Sequence, residues 1–79
     1  MHTSVTAVRI MRDLFYEDYI VQAYGSGEGG TLRRQDQADY TADTLREARV
    51  EALDLLGLAE HCSLQLKVGR LYTRQDLEN

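Results

Sequence analysis

The segment TADTLREARVEALDLLG, residues 41–57, decides the fold of this chain. Its apolar residues recur at the spacing of one helical face, and they are Leu45, Ala48, Ala52, Leu55 and Leu56. Thr41 is a candidate N-cap, and the alternative is a start at Thr44 with Glu47 completing a capping box. Gly57 suits the left-handed conformation in which many helices end. The segment therefore predicts one helix that packs on other elements through a stripe of leucine and alanine.

The other side of this helix is acidic. At about 100° per residue, four carboxylates fall together there, and we call them the acidic ridge: Asp43, Glu47, Glu51 and Asp54. Like charges four residues apart cost roughly 0.2–0.5 kcal/mol per pair, which Arg46 and Arg49 partly relieve. A solvated helix face explains this pattern without any ligand. The functional interpretation is a contact surface for a basic partner.

Length and charge limit what the chain can be. Its 79 residues suffice for one domain, residues 1–79, with a small core. Residues 36–60 carry seven acids and two arginines, whereas the rest of the chain carries six acids and seven bases, so the net charge of −4 comes from the helical region. An acidic segment of this kind repels phosphates, so direct nucleic-acid binding is not expected on that face.

The location of the protein is predicted from what the sequence does not contain. It has one cysteine, which cannot form an internal disulfide and favours a reducing setting. The N-terminus lacks the features of a signal peptide, and no apolar run approaches the roughly 20 residues of a membrane span. We therefore expect a cytoplasmic protein that makes no membrane contact.

Further segments have the composition of strands and predict an α+β fold. Residues 4–12, 19–24, 31–37 and 63–74 are these segments; residues 13–18 form a turn and GSGEGG, residues 25–30, a break. The expected architecture is a small antiparallel sheet of about four strands, in the order β-β-β-α-β, with one amphipathic helix packed on one face. Residues 4–17 also fit a helix, with Val8, Met11 and Phe15 on one side, and the sequence leaves that alternative open.

The last of these segments has the clearest strand pattern. Leu64, Leu66 and Val68 alternate with polar residues, as in a half-buried strand. Gly69 is expected to mark a bulge, after which Leu71 turns inward again.

No stretch of the sequence has the pattern of a catalytic site, so we expect no enzyme, no cofactor and no metal. GSGEGG lacks the following helix and Lys-Ser/Thr pair of a phosphate-binding loop. Glu60, His61 and Cys62 are adjacent, but neighbouring side chains of an extended segment point in opposite directions, and only His2 could add a further soft ligand. The acids of the ridge lack the cleft that acid–base catalysis needs.

Aromatic residues surround the predicted turn. Phe15, Tyr16 and Tyr19, mixed with Glu17 and Asp18, are typical of the anchors found at protein interfaces. The structural alternative is that they close one end of the core. The predicted partner-binding residues are thus the acidic ridge together with Phe15, Tyr16 and Tyr19.

Basic residues on the predicted strands leave nucleic-acid binding as an alternative function. They are Arg9, Arg12, Arg33, Arg34, Lys67, Arg70 and Arg74. The β-β-β-α layout is shared with double-stranded-RNA-binding domains, whose last helix begins with lysines that reach phosphates. This chain has Asp39 and Asp43 near the start of the helix, so it lacks the lysines with which those domains bind phosphates.

In the order of its segments the chain resembles the small phage-encoded inhibitors called anti-CRISPR proteins. The segments are SVTAVRI, YIVQAYG, the glycine loop, TLREARVEALDLLG and SLQLKVG. The resemblance is one of layout and carries over no residue. It implies a protein in the host cytoplasm that binds a Cas complex or nuclease and covers the residues that hold nucleic acid. A regulatory or adaptor domain that forms a homodimer through a strand edge is the other alternative.

Overall fold

A computed structural model describes residues 5–59 and 64–78 of the chain. The elements of this part are β1 (Ala7–Asp13), β2 (Asp18–Ser26), β3 (Leu32–Arg34), β4 (Tyr40–Ala42), α1 (Leu45–Leu55), β5 (Leu71–Thr73) and α2 (Arg74–Glu78). The strands form one antiparallel sheet in the order β3-β2-β1-β5, and β4 also pairs with β2. The predicted α+β fold, an antiparallel sheet with one main helix packed against it, is confirmed.

The core lies between α1 and one face of the sheet, which we call the inner face. β1 and β2 pair along their full length, so Ile10 stands beside Val21 and Val8 beside Ala23. Buried in one cluster with this face are the helix residues Ala48, Ala52, Leu53 and Leu56. Each large apolar side chain removed from water in this way contributes about 1.5–3 kcal/mol. The predicted stripe is buried as expected at its centre, and Leu53 extends it.

The start of α1 follows the alternative prediction. The N–H of Glu47 donates to Oγ1 of Thr44 at 3.1 Å, and the carboxylate of Glu47 accepts the N–H of Asp43 at 3.2 Å. Thr44 is therefore the N-cap. The prediction of Thr41 as the N-cap is wrong, because Thr41 lies in β4 and pairs with Ile20.

The end of α1 is closed by Gly57, as predicted. Gly57 has a φ of 73°, and its N–H donates to the carbonyl of Asp54 at 2.9 Å. The N–H of Leu58 reaches back to the carbonyl of Leu53 at 2.7 Å, and both leucines are buried. These two bonds and the apolar contact make a Schellman motif, which satisfies carbonyls that the helix leaves open.

Residues at the N-terminal end of the described chain form a strand, not a helix. β1 is rich in β-branched residues and pairs with β2 on one side and β5 on the other. The predicted turn lies between β1 and β2 and has four residues, Leu14, Phe15, Tyr16 and Glu17. The strand alternative for this region is therefore correct, while Ser4 lies outside the described residues.

The third predicted strand is interrupted. β3 and β4 both pair with β2, and a 3₁₀ turn at Asp36–Ala38 separates them. At the gap, Ala23 of β2 keeps both backbone bonds, because its carbonyl accepts the N–H of Gln35 at 2.8 Å and its N–H donates to the carboxylate of Asp39 at 2.9 Å. A side chain thus replaces the missing rung of the ladder.

The predicted strand at residues 63–74 is wrong over most of its length. Residues 64–67 have no regular secondary structure, and Gly69, with a φ of 87°, lies in a turn instead of a bulge. Leu66 is buried, as the alternation predicts, but Val68 is exposed. Leu71 is exposed as well, and Tyr72 faces inward instead. Ser63 lies outside the described residues.

Side chains satisfy the backbone of this segment where a neighbouring strand would otherwise do so. Arg49 Nε donates to the carbonyl of Leu66 at 2.9 Å, and the N–H of Lys67 donates to the hydroxyl of Tyr72 at 2.8 Å. The short helix α2 follows at once, opened by Thr73 and Asp76. Asp76 N–H donates to Thr73 Oγ1 at 3.1 Å and Thr73 N–H to the Asp76 carboxylate at 2.9 Å, a capping box.

Candidate functional site

The acidic ridge lies on the outer side of α1, as the helical spacing predicts. Asp43 and Asp54 are exposed, and Glu47 and Glu51 are partly buried. Within residues 5–59 and 64–78, ion pairs join Arg34 to Asp39 and Arg74 to Glu78, and neither includes the ridge. The ridge therefore presents its charge to the solvent without a neutralising pair in this part of the chain.

Tyr40 belongs to the same surface, which the sequence did not reveal. It lies on β4 opposite Val21, so its side chain is on the inner face of the sheet at the edge next to α1, and it is 37% exposed. Its pKa is raised above the ordinary value chiefly by Glu47, and further by partial burial, Glu51 and Asp43. A phenol hydroxyl thus stands among three carboxylates and offers a hydrogen-bond donor there.

The turn between β1 and β2 carries large apolar side chains into the solvent. Leu14 is 80% exposed, Phe15 is 84% exposed and Tyr16 is 71% exposed, and we call these three residues the hydrophobic tip. The rings of Phe15 and Tyr16 meet edge to face, with centroids 4.7 Å apart. The interpretation that they close one end of the core is wrong for these two residues.

The tip is held in one conformation by polar residues at its base. Oδ1 of Asp13 accepts the N–H groups of Phe15 and Tyr16 at 3.0 and 3.3 Å. Glu17 has a φ of 57°, the left-handed conformation that lets a four-residue turn close. Arg12 donates to the carbonyl of Glu17 at 3.2 Å. Because the backbone is fixed, little of its conformational freedom remains to be lost when the tip is covered.

Tyr19 does not join the tip. It lies on the inner face, opposite both Arg12 of β1 and Ala42 of β4, and it packs against the core. The guanidinium carbon of Arg12 lies 4.7 Å from the centre of its ring, a cation–π contact. The aromatic residues predicted as one group are therefore divided between the tip and the edge of the core.

The second face of the sheet, which we call the open face, carries a polar network around Tyr24. Arg9 donates to Gln22 at 3.1 Å and to the hydroxyl of Tyr24 at 2.8 Å. The guanidinium carbons of Arg9 and Arg34 lie 5.8 and 5.2 Å from the centre of the Tyr24 ring. The tyrosine is thus flanked by two cations, both of which already have partners.

Of the other predicted basic residues, Arg34 shares the open face with Arg9, whereas Arg12 and Arg74 do not. Arg34 holds Asp39 with two bonds, the shorter at 2.6 Å, and also donates to the carbonyl of Ala23. Arg74 donates through Nε to the carbonyl of Leu56 at the end of α1. Arg12 faces the inner side with Tyr19. Arg12, Arg34 and Arg74 are therefore divided between different sides of the fold, and each already has an internal partner.

The carboxylate of Asp39 is partly buried and accepts hydrogen bonds from two residues. Burial alone would raise its pKa, but the hydrogen bonds from Arg34 and from the N–H of Ala23, with the positive charge of Arg34, outweigh burial and lower the pKa. The pKa of Arg34 is raised by the same pair. This pair stabilises the interrupted edge of the sheet and has a structural role there.

The described residues give no support to a metal site or a membrane-spanning helix. No three histidine, cysteine, aspartate or glutamate side chains are grouped there as metal ligands. Glu60, His61, Cys62 and His2 lie outside the described residues. In the part of the chain that the structure describes, no helix is both long and apolar enough to span a membrane.

Among the described residues, the ridge with Tyr40 is a charged surface without an ion pair, and the hydrophobic tip holds the most exposed large apolar side chains. Comparison of the chain with protein-family models, with curated proteins and with solved structures found no match.

Proposed function

We propose that the protein is a non-enzymatic inhibitor that binds a basic surface of a partner protein through the acidic ridge and Tyr40. The observation that carries the proposal is that the four carboxylates of the ridge lie on one side of the molecule and that none of them is in an ion pair within the described residues. The raised pKa of Tyr40, caused chiefly by Glu47, agrees with this concentration of negative charge. A partner's lysine or arginine relieves the repulsion among these acids when it binds. In line with the anti-CRISPR resemblance, we propose a CRISPR effector as that partner.

The rigidity of α1 supports this role. Thr44 caps one end of the helix and Gly57 closes the other, so the four carboxylates keep a fixed spacing. Fixed charges of one sign speed the encounter with an opposite surface and select for it more than they add affinity. A surface that has evolved to hold nucleic acid is rich in Lys and Arg, and is the natural target of such a ridge.

Nucleic-acid binding, the alternative function, draws less support. Arg34 is held by the carboxylate of Asp39, and the open face also carries the acids Asp13 and Asp18, which repel phosphates. A nucleic-acid groove needs cations free to meet successive phosphates.

The proposal is tested by measuring DNA binding and cleavage by a panel of purified CRISPR effectors with and without the protein. We expect one effector to lose DNA binding in the presence of the wild-type chain. The variant Glu51→Lys/Asp54→Lys reverses two charges of the ridge and should not inhibit. Glu47 is left unchanged because its carboxylate accepts the Asp43 N–H at the start of α1.

The matched control is Glu28→Lys/Asp36→Lys, which makes the same change in net charge at exposed acids away from α1. It should inhibit like the wild-type chain. If the ridge variant inhibits as well as the control, the ridge is only a solvated face. If the wild-type chain inhibits no effector, the proposed target class is wrong.

A further inference from the structure

No element of residues 5–59 and 64–78 covers the open face or the hydrophobic tip. α1 covers only the inner face, so the open face exposes or half-exposes a row of side chains that ends at the tip. At its centre are Met11 and Ile20, which stand directly opposite one another on β1 and β2. On the β5 side lies Leu71, opposite Arg9 and exposed. The middle of this face is therefore apolar on β1 and β2, and Thr41 of β4 borders it beside Ile20.

Charge is distributed about this centre with opposite signs on its two sides. Two residues towards one end of the strands, the open face carries Arg9 opposite Gln22. Two residues towards the other end, it carries Asp13 opposite Asp18. Each pair lies about 7 Å from the centre along the strands. A pattern of this kind is complementary to itself when it is turned end for end.

We infer that two copies of the chain pair open face to open face about a two-fold axis over Met11 and Ile20. The axis is parallel to the sheets and perpendicular to the strands, so it reverses the strand direction. It brings Arg9 of each copy over the acidic end of the other. Because the same patch is used by both copies, the contact is isologous and closes as a dimer. Two sheets packed in this way lie about 10 Å apart.

The side chains at the acidic end have capacity for such a contact. Asp13 and Asp18 are like charges directly across a strand pair, an arrangement that destabilises a sheet. Arg9 leans towards β2, where it bonds Gln22 and Tyr24, and under the two-fold axis this direction points it at Asp18 of the second copy.

The same operation covers the hydrophobic tip. Phe15 lies four residues beyond Met11, and Ala7, which pairs with Tyr24, lies four residues before it. The axis therefore places the tip of each copy near Tyr24 and Arg34 of the other, where aromatic and cation–π contacts are available. One arrangement thus buries two apolar features that a monomer leaves in water. Both acidic ridges remain on the outside, so this inference does not depend on the proposed function.

Sedimentation velocity of the purified chain, from micromolar to near-millimolar concentration, tests the inference. We expect a reversible shift from the 9.0 kDa monomer to a species of twice that mass. Arg9→Glu and Asp18→Lys, made separately, should each weaken self-association by about tenfold or more, because each places like charges opposite one another at two symmetric contacts. Val50→Lys, on the exposed side of α1, should have no effect.

Mixing the two variants gives the decisive result. A heterodimer of Arg9→Glu with Asp18→Lys places the two substituted side chains, now of opposite charge, against each other at one contact. The other contact keeps the native pair of Arg9 and Asp18, so association should return. Circular dichroism establishes that each variant is folded. If Arg9→Glu does not fold, Met11→Lys replaces it in the measurement of single variants, where it should weaken self-association because it puts two lysines on the axis.

Three results overturn the inference. The first is a wild-type chain that stays monomeric over the whole range, which leaves the tip to another partner. The second is a dimer that none of the open-face variants weakens. The third is a dimer that the variants weaken but their mixture does not restore, because the contact is then not the symmetric one described above.

Discussion

At the scale of single residues, Asp39 makes the bond to β2 that a continuous edge strand would have made. Its carboxylate accepts hydrogen bonds from the N–H of Ala23 and from both terminal nitrogens of Arg34. Asp39→Ala leaves the Ala23 N–H without its acceptor and Arg34 without its partner. We expect the free energy of unfolding, measured in urea, to fall by about 1–3 kcal/mol.

Asp36 provides the control for this prediction, since it lies exposed in the same turn. Asp36→Ala should change the free energy of unfolding by less than about 0.5 kcal/mol. Equal losses in the two variants would mean that the turn tolerates neither change and that the bond to Ala23 is not what holds the edge.

At the scale of elements, local signals decided which parts of the fold could be predicted. α1 could be predicted from its apolar spacing, its capping residue and Gly57, which all lie within one short segment. The β1–β2 hairpin is also local, because its strands are joined by a four-residue turn. The acidic ridge was predictable for the same reason, since helical geometry alone brings Asp43, Glu47, Glu51 and Asp54 to one side.

Elements that depend on distant partners were predicted poorly: β5 lies inside the predicted segment 63–74 but takes up only its last part, and β4 was missed. β4 has only three residues, and nothing in YTA distinguishes a strand until it pairs with β2. Tyr40 was missed with it. At Leu64 and Leu66 the alternation is real, but it reflects an extended segment held by Arg49 and Tyr72 and not a strand. α2 did have a local signal, the Thr73–Asp76 capping box, which the strand assignment obscured.

The junction between α1 and α2 gives a prediction at this scale. Gly57 and Gly30 both have a positive φ, 73° and 79°, so alanine is strained at either position by about 1–2 kcal/mol. Of these two positions, only Gly57 is one where an added Cβ would meet a neighbouring atom, Nη2 of Arg74 at 2.5 Å. Displacing Arg74 also disturbs its bond to the carbonyl of Leu56. Thermal unfolding should therefore show a larger decrease in melting temperature for Gly57→Ala than for Gly30→Ala. Equal decreases would mean that the contact of Arg74 with the end of α1 does not stabilise the junction.

At the scale of the whole molecule, the two layers separate two kinds of surface. The helix layer presents the acidic ridge on one side, and the sheet layer presents the open face on the other. A pair of copies joined through their open faces would carry two ridges, so that a partner with two basic sites could be held at both. Avidity of this kind raises the overall affinity without any new contact, provided that the spacing of the sites allows it.

The response of the whole fold to acid follows from carboxylates whose pKa is lowered. For Asp39, burial is outweighed by the bonds from Arg34 and Ala23; for Asp76, the bonds with Thr73 lower the pKa. A lowered pKa contributes stability above the unfolded value of about 3.9, and that contribution is lost as the pH falls through the folded value. We therefore expect the free energy of unfolding to decline below about pH 4.

The variant Asp39→Asn tests the part that Asp39 plays in this decline. It should have a lower free energy of unfolding than the wild-type chain at neutral pH, and the difference between the two free energies should become smaller in acid. A difference that stays constant down to the lowest pH would show that the charge of Asp39 does not stabilise the sheet edge.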